Sequence, residues 1–426
     1  MKKKKVLYVI IILCLVLDVL VSFYSYKEYK NYSKIEEENN TEKIKEEKIA
    51  LISSHYDKKV ITNKDSKIYL LEDDSYIEAG LIGCDIVISL KDMVINENTM
   101  YFEIDDFKDN YYISYGDVDK YTDEEVNDDR YKNYILFNEN IVTGDITEFY
   151  DGDKLVYKFN KSFNLPIIIK DDDSYFVEYN NRLLEVKKDS VREIVSSNNS
   201  NQEVSKNLRV IAYHAFYNVN DDSEKWCRSS ICHPVTQIEE ESKYLKDNNY
   251  FTLNTKELDM FIDGKINVPK KSIMITIDDG LLAERGLEVL VKYELNATLF
   301  LITKNYKPES FVNSKYIEYH SHGNDLHNVG VCSGGQGGGI KCLNKDVLIN
   351  DLKTSSEILH GSTIFCYPFY EFNNYSIEVL KEAGYTMAFA GCIGSCKVNR
   401  YTNKYIIPRY TITNDVSLGE FINIIK

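Results

Sequence analysis

The stretch Lys271-Ser-Ile-Met-Ile-Thr-Ile-Asp-Asp-Gly280 decides the fold, because a run of apolar and β-branched residues stops abruptly at two carboxylates and a glycine. It reads as a buried strand that delivers chemistry at its C-terminal end. Leu281 to Glu294 follows with helix-like apolar spacing, and Ala297-Thr-Leu-Phe-Leu-Ile302 is a second short apolar run of strand character. Strand, helix, strand predicts a parallel βαβ unit, whose active groups sit where strands end and loops begin. Side chains alternate along a strand, so Asp278 and Asp279 cannot both point the same way. Two adjacent acids can therefore hold two different jobs.

Downstream, Glu318-Tyr-His-Ser-His-Gly-Asn-Asp-Leu-His327 packs three of the chain's 7 histidines into one short segment. His322 and His327 are five apart, about 140° round a helix of ~3.6 residues per turn, so they share no helical face. A strand end and its following turn can bring them together. One carboxylate of the 278/279 pair with these two imidazoles makes an N/N/O ligand set for a divalent metal with open positions. Ordinary surface or strand histidines are the bland reading, weakened by the Asp-Asp-Gly strand end that precedes them.

At 426 residues the chain is long enough for two or three domains, and its formal charge of -16 argues against nucleic acid or an anionic lipid surface as main partner. Lys2 to Lys5 precede an apolar run from Val6 to Phe23 that approaches the ~20 residues a bilayer needs. No small-residue cleavage site follows, so an uncleaved anchor is preferred to a signal peptide. The lysines place the N-terminus in the cytoplasm and the bulk of the chain outside the cell. The expected layout is a cytoplasmic tail at 1–5, a transmembrane anchor at 6–24 and a charged stalk at 25–50. A β-rich region at 51–195 comes next, with a polar linker at 196–206 and an α/β domain at 207–426.

Within 51–195, short alternating segments broken by Asp, Asn and Gly have the texture of small β-modules. They resemble bacterial Src-homology-type barrels found beside cell-wall enzymes. Asp73-Asp-Ser-Tyr-Ile-Glu78 recurs weakly as Asp172-Asp-Ser-Tyr-Phe-Val-Glu178, which suggests two related modules. Their acids read as hairpin turns rather than calcium ligands, since the oxygen spacing of a calcium loop is absent. Six of the 9 cysteines form close pairs, Cys227 with Cys232, Cys332 with Cys342 and Cys392 with Cys396. An exterior location favours short-loop disulfides over a zinc site, because none is a CxxC. Cys84 and Cys366 read as free buried thiols, and Cys14 falls in the anchor. Gly334-Gly-Gln-Gly-Gly-Gly339 lacks the strand, helix and Lys-Ser/Thr context of a phosphate loop, so it reads as a flexible wall of the cleft. Trp226 and nearby tyrosines are candidates for stacking on sugar rings.

From Arg209 to Lys426 the ordered motifs resemble the polysaccharide deacetylases of the NodB-homology type, carbohydrate esterase family four. Tyr213-His214 lies at the first strand, Thr276-Ile-Asp-Asp-Gly280 matches the first motif and Ser321-His-Gly-Asn-Asp-Leu-His327 the second. Phe365-Cys-Tyr-Pro-Phe369 looks like the third, and Ile407-Pro-Arg-Tyr410 like the closing strand. The resemblance implies a distorted (β/α) barrel, with Asp279, His322 and His327 as metal ligands and Asp278 as catalytic base. Zinc is the divalent ion expected. A backbone N–H in the turn Tyr367, Pro368, Phe369 is the expected oxyanion donor. The subtype acts on N-acetylglucosamine polymers, here peptidoglycan or a β-1,6-linked exopolysaccharide.

Two departures stand out. Cys366 occupies the third motif's usual arginine, and no histidine follows His360, so the late Leu-x-His general acid is missing. His214 is the candidate acid, set against a structural histidine, and Arg409 either orients Asp278 or forms a plain ion pair. One rival is a non-haem iron oxygenase with the same ligand types. Another is a catalytically inactive wall-binding protein that keeps the fold.

Overall fold

The computed structural model describes residues 24–31, 33–34, 59–96, 99–121, 129–392, 394 and 396–426. The anchor expected at 6–24 lies outside the described residues apart from Tyr24, as does Cys14. Among the described residues no helix is long and apolar enough to cross a membrane. Of the expected stalk, the described residues 25–31 and 33–34 are helical and exposed. The chain divides into two compact units, residues 1–125 with 148–160, and residues 126–147 with 161–426.

The first unit contains an antiparallel sheet. Its strands run in the order Lys154–Phe159, Ser75–Ile82, Ser66–Glu72, Tyr111–Ser114, Thr99–Ile104, Val87–Asn96, Lys59–Thr62 and Val118–Lys120. Alternation sets one face of each strand inward, so Ile68, Ile82, Ile88, Phe102 and Ile113 are buried. Asp73 and Asp74 both take positive φ, 46° and 62°, in the hairpin turn that the two-residue link between these strands demands. The acids are turn residues there. Their weak echo at Asp172 and Asp173 likewise leads into a strand, Ser174–Tyr179, but in the second unit.

The second unit is built on a closed barrel of parallel strands. These are β1 (Arg209–Tyr213), β2 (Ser272–Ile277), β3 (Ala297–Leu301), β4 (Ile317–Ser321), β5 (Ile364–Cys366), β6 (Met387–Gly391) and β7 (Ile407–Thr411). Each pairs with the next in sequence, and β1 pairs with both β2 and β7, which closes the ring. Around it lie α1 (Val235–Asp247), α2 (Thr255–Ile262), α3 (Glu284–Lys292), α4 (Lys345–Ile358), α5 (Asn374–Glu382) and α6 (Leu418–Ile425). Every residue of β2 is buried, as a parallel strand covered on both faces requires. Ile273, Ile275 and Ile277 pack with Leu287 and Leu290 of α3 and Phe421 of α6. Met274 takes the other face, with Val210, Phe300, Cys366 and Phe389. That parity continues through Thr276 to Asp278, so the strand aims the first aspartate inward.

Two boundaries differ from the sequence expectation. The barrel's compact unit begins near residue 126 rather than 207, because residues 129–147 and 161–206 are fastened to it. Arg130 Nε donates to Glu257 Oε1 at 2.6 Å, and Tyr134 Oη donates to the same oxygen at 2.9 Å. Lys170 N donates to Lys265 O at 2.8 Å, and Lys265 Nζ pairs with Asp171 at 2.6 Å. The Ser/Asn-rich 196–206 segment is not a free tether either. Asn199 Nδ2 donates to Phe137 O at 2.8 Å, and Ser205 N donates to Val268 O at 2.9 Å. Polar composition predicted a linker, but these side chains spend their polarity on backbone groups.

Glu257 is nearly fully buried and also caps α2 through Asn254 N. Arg130→Ala would leave that carboxylate without its cation, at a cost of about 2–3 kcal/mol. Denaturant unfolding of the second unit should show it as a lower midpoint with an unchanged slope. Lys270→Ala, which breaks an exposed pair with Glu203, should move stability by only about 0.5 kcal/mol or less.

Candidate metal centre and catalytic groups

The C-terminal ends of the strands supply the site. His214 follows β1, Asp278 and Asp279 follow β2, His322 follows β4, Tyr367 follows β5, and Arg409 lies within β7. Asp278 is 1% exposed, where an unpaired carboxylate would be costly. Arg409, fully buried, answers with a bidentate pair of 2.7 Å to Oδ1 and 2.8 Å to Oδ2. Burial works against the Asp278 charge, but the Arg409 guanidinium outweighs it and holds the carboxyl well below the usual range. The Arg409 side chain is fixed in turn by Thr276 Oγ1 at 3.1 Å, and its Nη2 lies 2.9 Å from Cys366 Sγ. Orientation of Asp278 and an ion pair are thus one interaction.

Asp279 is turned by backbone rather than by strand parity. Its φ of +74° is left-handed, and Gly280 follows at +104° with the Tyr306 ring where a Cβ would stand. This bend swings the second carboxylate toward the two histidines. Asp279 Oδ1 lies 3.3 Å from His322 Nε2 and 3.3 Å from His327 Nε2. His322 Nδ1 meets the Cys366 carbonyl at 2.9 Å, and a carbonyl only accepts, so Nδ1 carries the proton. In the neutral ring, the Nε2 lone pair then faces Asp279. Asp279 Oδ1 is buried without a hydrogen-bond partner. An unsatisfied carboxylate oxygen between two imidazole nitrogens is an acceptor set that fits a divalent metal with N/N/O ligands.

His214 is mostly buried, with Nε2 3.8 Å from Asp278 Oδ2 and Nδ1 unpartnered. Burial pushes its imidazole below the ordinary histidine range, against the pull of both aspartates. The expected oxyanion turn needs correction. Tyr367 N donates to Phe389 O at 3.0 Å within the sheet, its hydroxyl donates to Tyr405 O at 3.1 Å, and Pro368 has no N–H. Phe369 is the member left to donate, and its ring packs on His327 with centroids 4.3 Å apart. Beside the Asp278–Arg409 pair a cavity of about 340 Å³ is lined by Tyr370, Gly391, Cys392, Arg409, Tyr410 and Thr411.

The cysteine pairs are bridged, with Cα separations of 5.3 Å for Cys227–Cys232, 5.8 Å for Cys332–Cys342 and 5.1 Å for Cys392–Cys396. Cys84 and Cys366 are free thiols, but Cys84 is only half-buried. The side chain of Trp226 lies outside what is described. Sequence reading missed Asp351 on α4, whose carboxylate accepts from Asn324 N at 2.8 Å and Asp325 N at 2.7 Å. It clamps the turn between His322 and His327. The signal was available, because Asp351 is an acid at helical spacing from the apolar Leu348 and Leu352 on the buried face of α4.

If Asp279 is a ligand, Asp279→Asn removes the anionic member of the set, and metal bound after dialysis should fall toward zero. Asp278→Asn should retain it, since Asp278 faces Arg409. Elemental analysis of the two purified variants decides the assignment, and the reverse pattern would invert it.

The polysaccharide deacetylase family's sequence model matches residues 265–388. A poly-β-1,6-N-acetyl-D-glucosamine N-deacetylase of Staphylococcus aureus (strain MSSA476) is 28% identical over 201 residues, covering 42% of this chain and 67% of that protein. Among solved structures, a polysaccharide deacetylase from Bacillus cereus aligns with a TM-score of 0.42 at 17% identity, covering 82% of this chain and all of that one. The Streptococcus pyogenes deacetylase PplD in complex with acetate aligns over 52% of this chain and 98% of its own, with a TM-score of 0.43 at 16% identity.

Proposed function

Because this chain carries a polysaccharide deacetylase domain of the NodB type, a hydrolase unit that acts on the carbon–nitrogen bond of N-acetyl groups, we propose that it de-N-acetylates a β-1,6-linked N-acetylglucosamine polymer of the cell envelope. The choice of polymer over peptidoglycan is supported by the activity for which the S. aureus relative is named. In the same reading residues 6–24 anchor the chain in the membrane and the domain works outside the cell. The observation that carries the enzymatic reading is the convergence of Asp279, His322 and His327 beside a charged, arginine-clamped Asp278. A wall-binding protein without activity has no use for a buried acceptor set of this kind, which costs stability wherever it is left uncompensated.

Asp279, His322 and His327 would hold the divalent ion, zinc in this reading. Bound there, such an ion supplies Lewis acidity and a more acidic water. Asp278 takes the proton of the attacking water, and Arg409 keeps it ionised and fixed for that task. Phe369 N–H donates to the oxygen on which negative charge develops. The cavity beside Arg409 and Tyr370 leaves room for a sugar residue next to the base. The proton taken by Asp278 must end on the departing amine, and His214 stands 3.8 Å from its Oδ2, a gap that a small shift closes. The C–N bond breaks, acetate leaves with the water's hydroxyl, and the glucosamine amine keeps the proton.

The test is acetate release by the full-length chain from poly-β-1,6-N-acetylglucosamine and from peptidoglycan, with metal content measured on the same sample. Acetate is expected from the first polymer, and Asp278→Asn should lower turnover by about 10²- to 10⁴-fold, the usual worth of a positioned base. No acetate from either polymer by metal-loaded protein would overturn the reading. For the location, protease added to intact cells should remove the second unit. Its survival until lysis would reverse the orientation.

A further inference from the structure

The turn that offers Phe369 N–H is strained. Phe369 and Tyr370 are consecutive left-handed residues, at φ 58° and 60°, and neither is glycine. Such conformations persist only where the surroundings over-determine them. On one side Tyr370 is tied down, its hydroxyl 2.8 Å from Thr411 Oγ1. On the other side the next residue, Glu371, buries its carboxylate in the glycine-rich loop. Glu371 Oε1 accepts from Gln336 N, Oε2 accepts from Gly338 N at 2.7 Å, and Lys341 Nζ pairs with Oε2 at 2.8 Å. Backbone N–H groups and an ammonium gathered round one anion form a nest. The glycines that suggested a phosphate cradle thus hold an internal carboxylate.

The nest is itself rigid. Cys332 and Cys342 bridge its ends. Lys341 Nζ donates to Gly334 O at 2.9 Å, Asn373 Nδ2 donates to Lys341 O at 3.1 Å, and Tyr375 Oη donates to Leu343 O at 2.8 Å. Gly335 takes φ +61°, and a methyl group there would collide with Glu371 Oε1. Glycine at 335 is therefore required by the carboxylate as well as by the backbone.

We propose that Glu371 is a positioning residue for the reaction: anchored in the disulfide-closed nest, it holds the Phe369–Tyr370 turn in its left-handed form and so fixes the Phe369 N–H at the oxyanion. This inference rests on the deacetylase reading above. Glu371 itself touches neither the metal ligands nor the base, and only the Phe369 ring of the turn it holds packs on His327, so its loss acts chiefly on the transition state.

Two variants reach it from opposite sides, Glu371→Ala by removing the carboxylate and Gly335→Ala by displacing it. Each should lower kcat by about 10- to 100-fold, the scale of a misplaced oxyanion donor, with KM changed less than about threefold. Metal content should match the parent. The double variant should be no slower than the slower single one, because both remove one coupling. Glu371→Gln, which keeps an acceptor for the nest, should recover part of the loss and serves as well if the alanine variant folds poorly. Hydrogen exchange at the Gln336, Gly338 and Tyr370 amides should accelerate in both alanine variants. Unchanged kcat despite faster exchange, additive losses, or loss of metal would each overturn the role. If the parent protein releases no acetate, the deacetylase reading falls on its own. The exchange data still judge the latch, which fails if the Tyr370 amide, which donates to Tyr367 O at 3.0 Å within the turn, is as protected in Glu371→Ala as in the parent.

Discussion

A carboxylate cannot stay charged inside a barrel without a partner, and the site is arranged around the one that Asp278 has. Strand parity on β2 points Met274, Thr276 and then Asp278 inward, so the acid is committed to the interior before any question of catalysis arises. Arg409, the largest fully buried side chain among the described residues, crosses from β7 to meet both oxygens. Coulomb attraction and two aligned hydrogen bonds together outweigh burial there. A pair of this kind also fixes geometry, since neither partner can move without leaving the other charged and dry. Asp278, the cavity next to it and the nearby His214 all take their places from that pair.

Much of this was readable from the sequence because it follows from periodicity. A buried parallel strand needs an unbroken apolar run, and the residues after it must be at the catalytic end, so Asp278, Asp279 and His322 were placed by strand ends alone. What alternation could not supply was the route by which Asp279 joins its histidines. Opposite parity should have sent it away, and a left-handed φ at a non-glycine residue brings it back. No propensity announces such a backbone state, which is set by neighbours such as Tyr306 and the turn at Gly280. The role of Arg409 was open for a similar reason. A lone arginine in a closing strand has no visible partner until the barrel closes and β7 lies beside β1.

The misreadings share one cause, which is that composition reports polarity without reporting its use. Ser196 to Asn201 looked like a tether, yet Asn199 binds backbone carbonyls of residues 137 and 139 and the segment lies within a compact unit. The glycine run looked unstructured, yet it wraps the Glu371 carboxylate. Tyr367 looked available as a donor, but its amide belongs to the sheet. In each case the group's partner lies tens of residues away, beyond the reach of a local pattern.

Three of the left-handed non-glycine residues lie at the candidate site, Asp279, Phe369 and Tyr370. Elsewhere in the described chain several belong to hairpin turns, such as Asp73 with Asp74 and Asn180 with Asn181, where the conformation matches the twist of the strands. At the site no paired strands flank the turn: Glu371 N donates to Pro368 O at 3.1 Å across the Phe369–Tyr370 pair, and the remaining support comes from outside the turn. Asp279 is framed by the Gly280 bend, Tyr370 by Thr411 and the Arg409 face at 5.1 Å, and Phe369 by the His327 ring and the nest behind Glu371. A site assembled this way is organised before substrate arrives, because the groups that must not move are those already held by covalent closure, a buried charge pair or a filled anion nest.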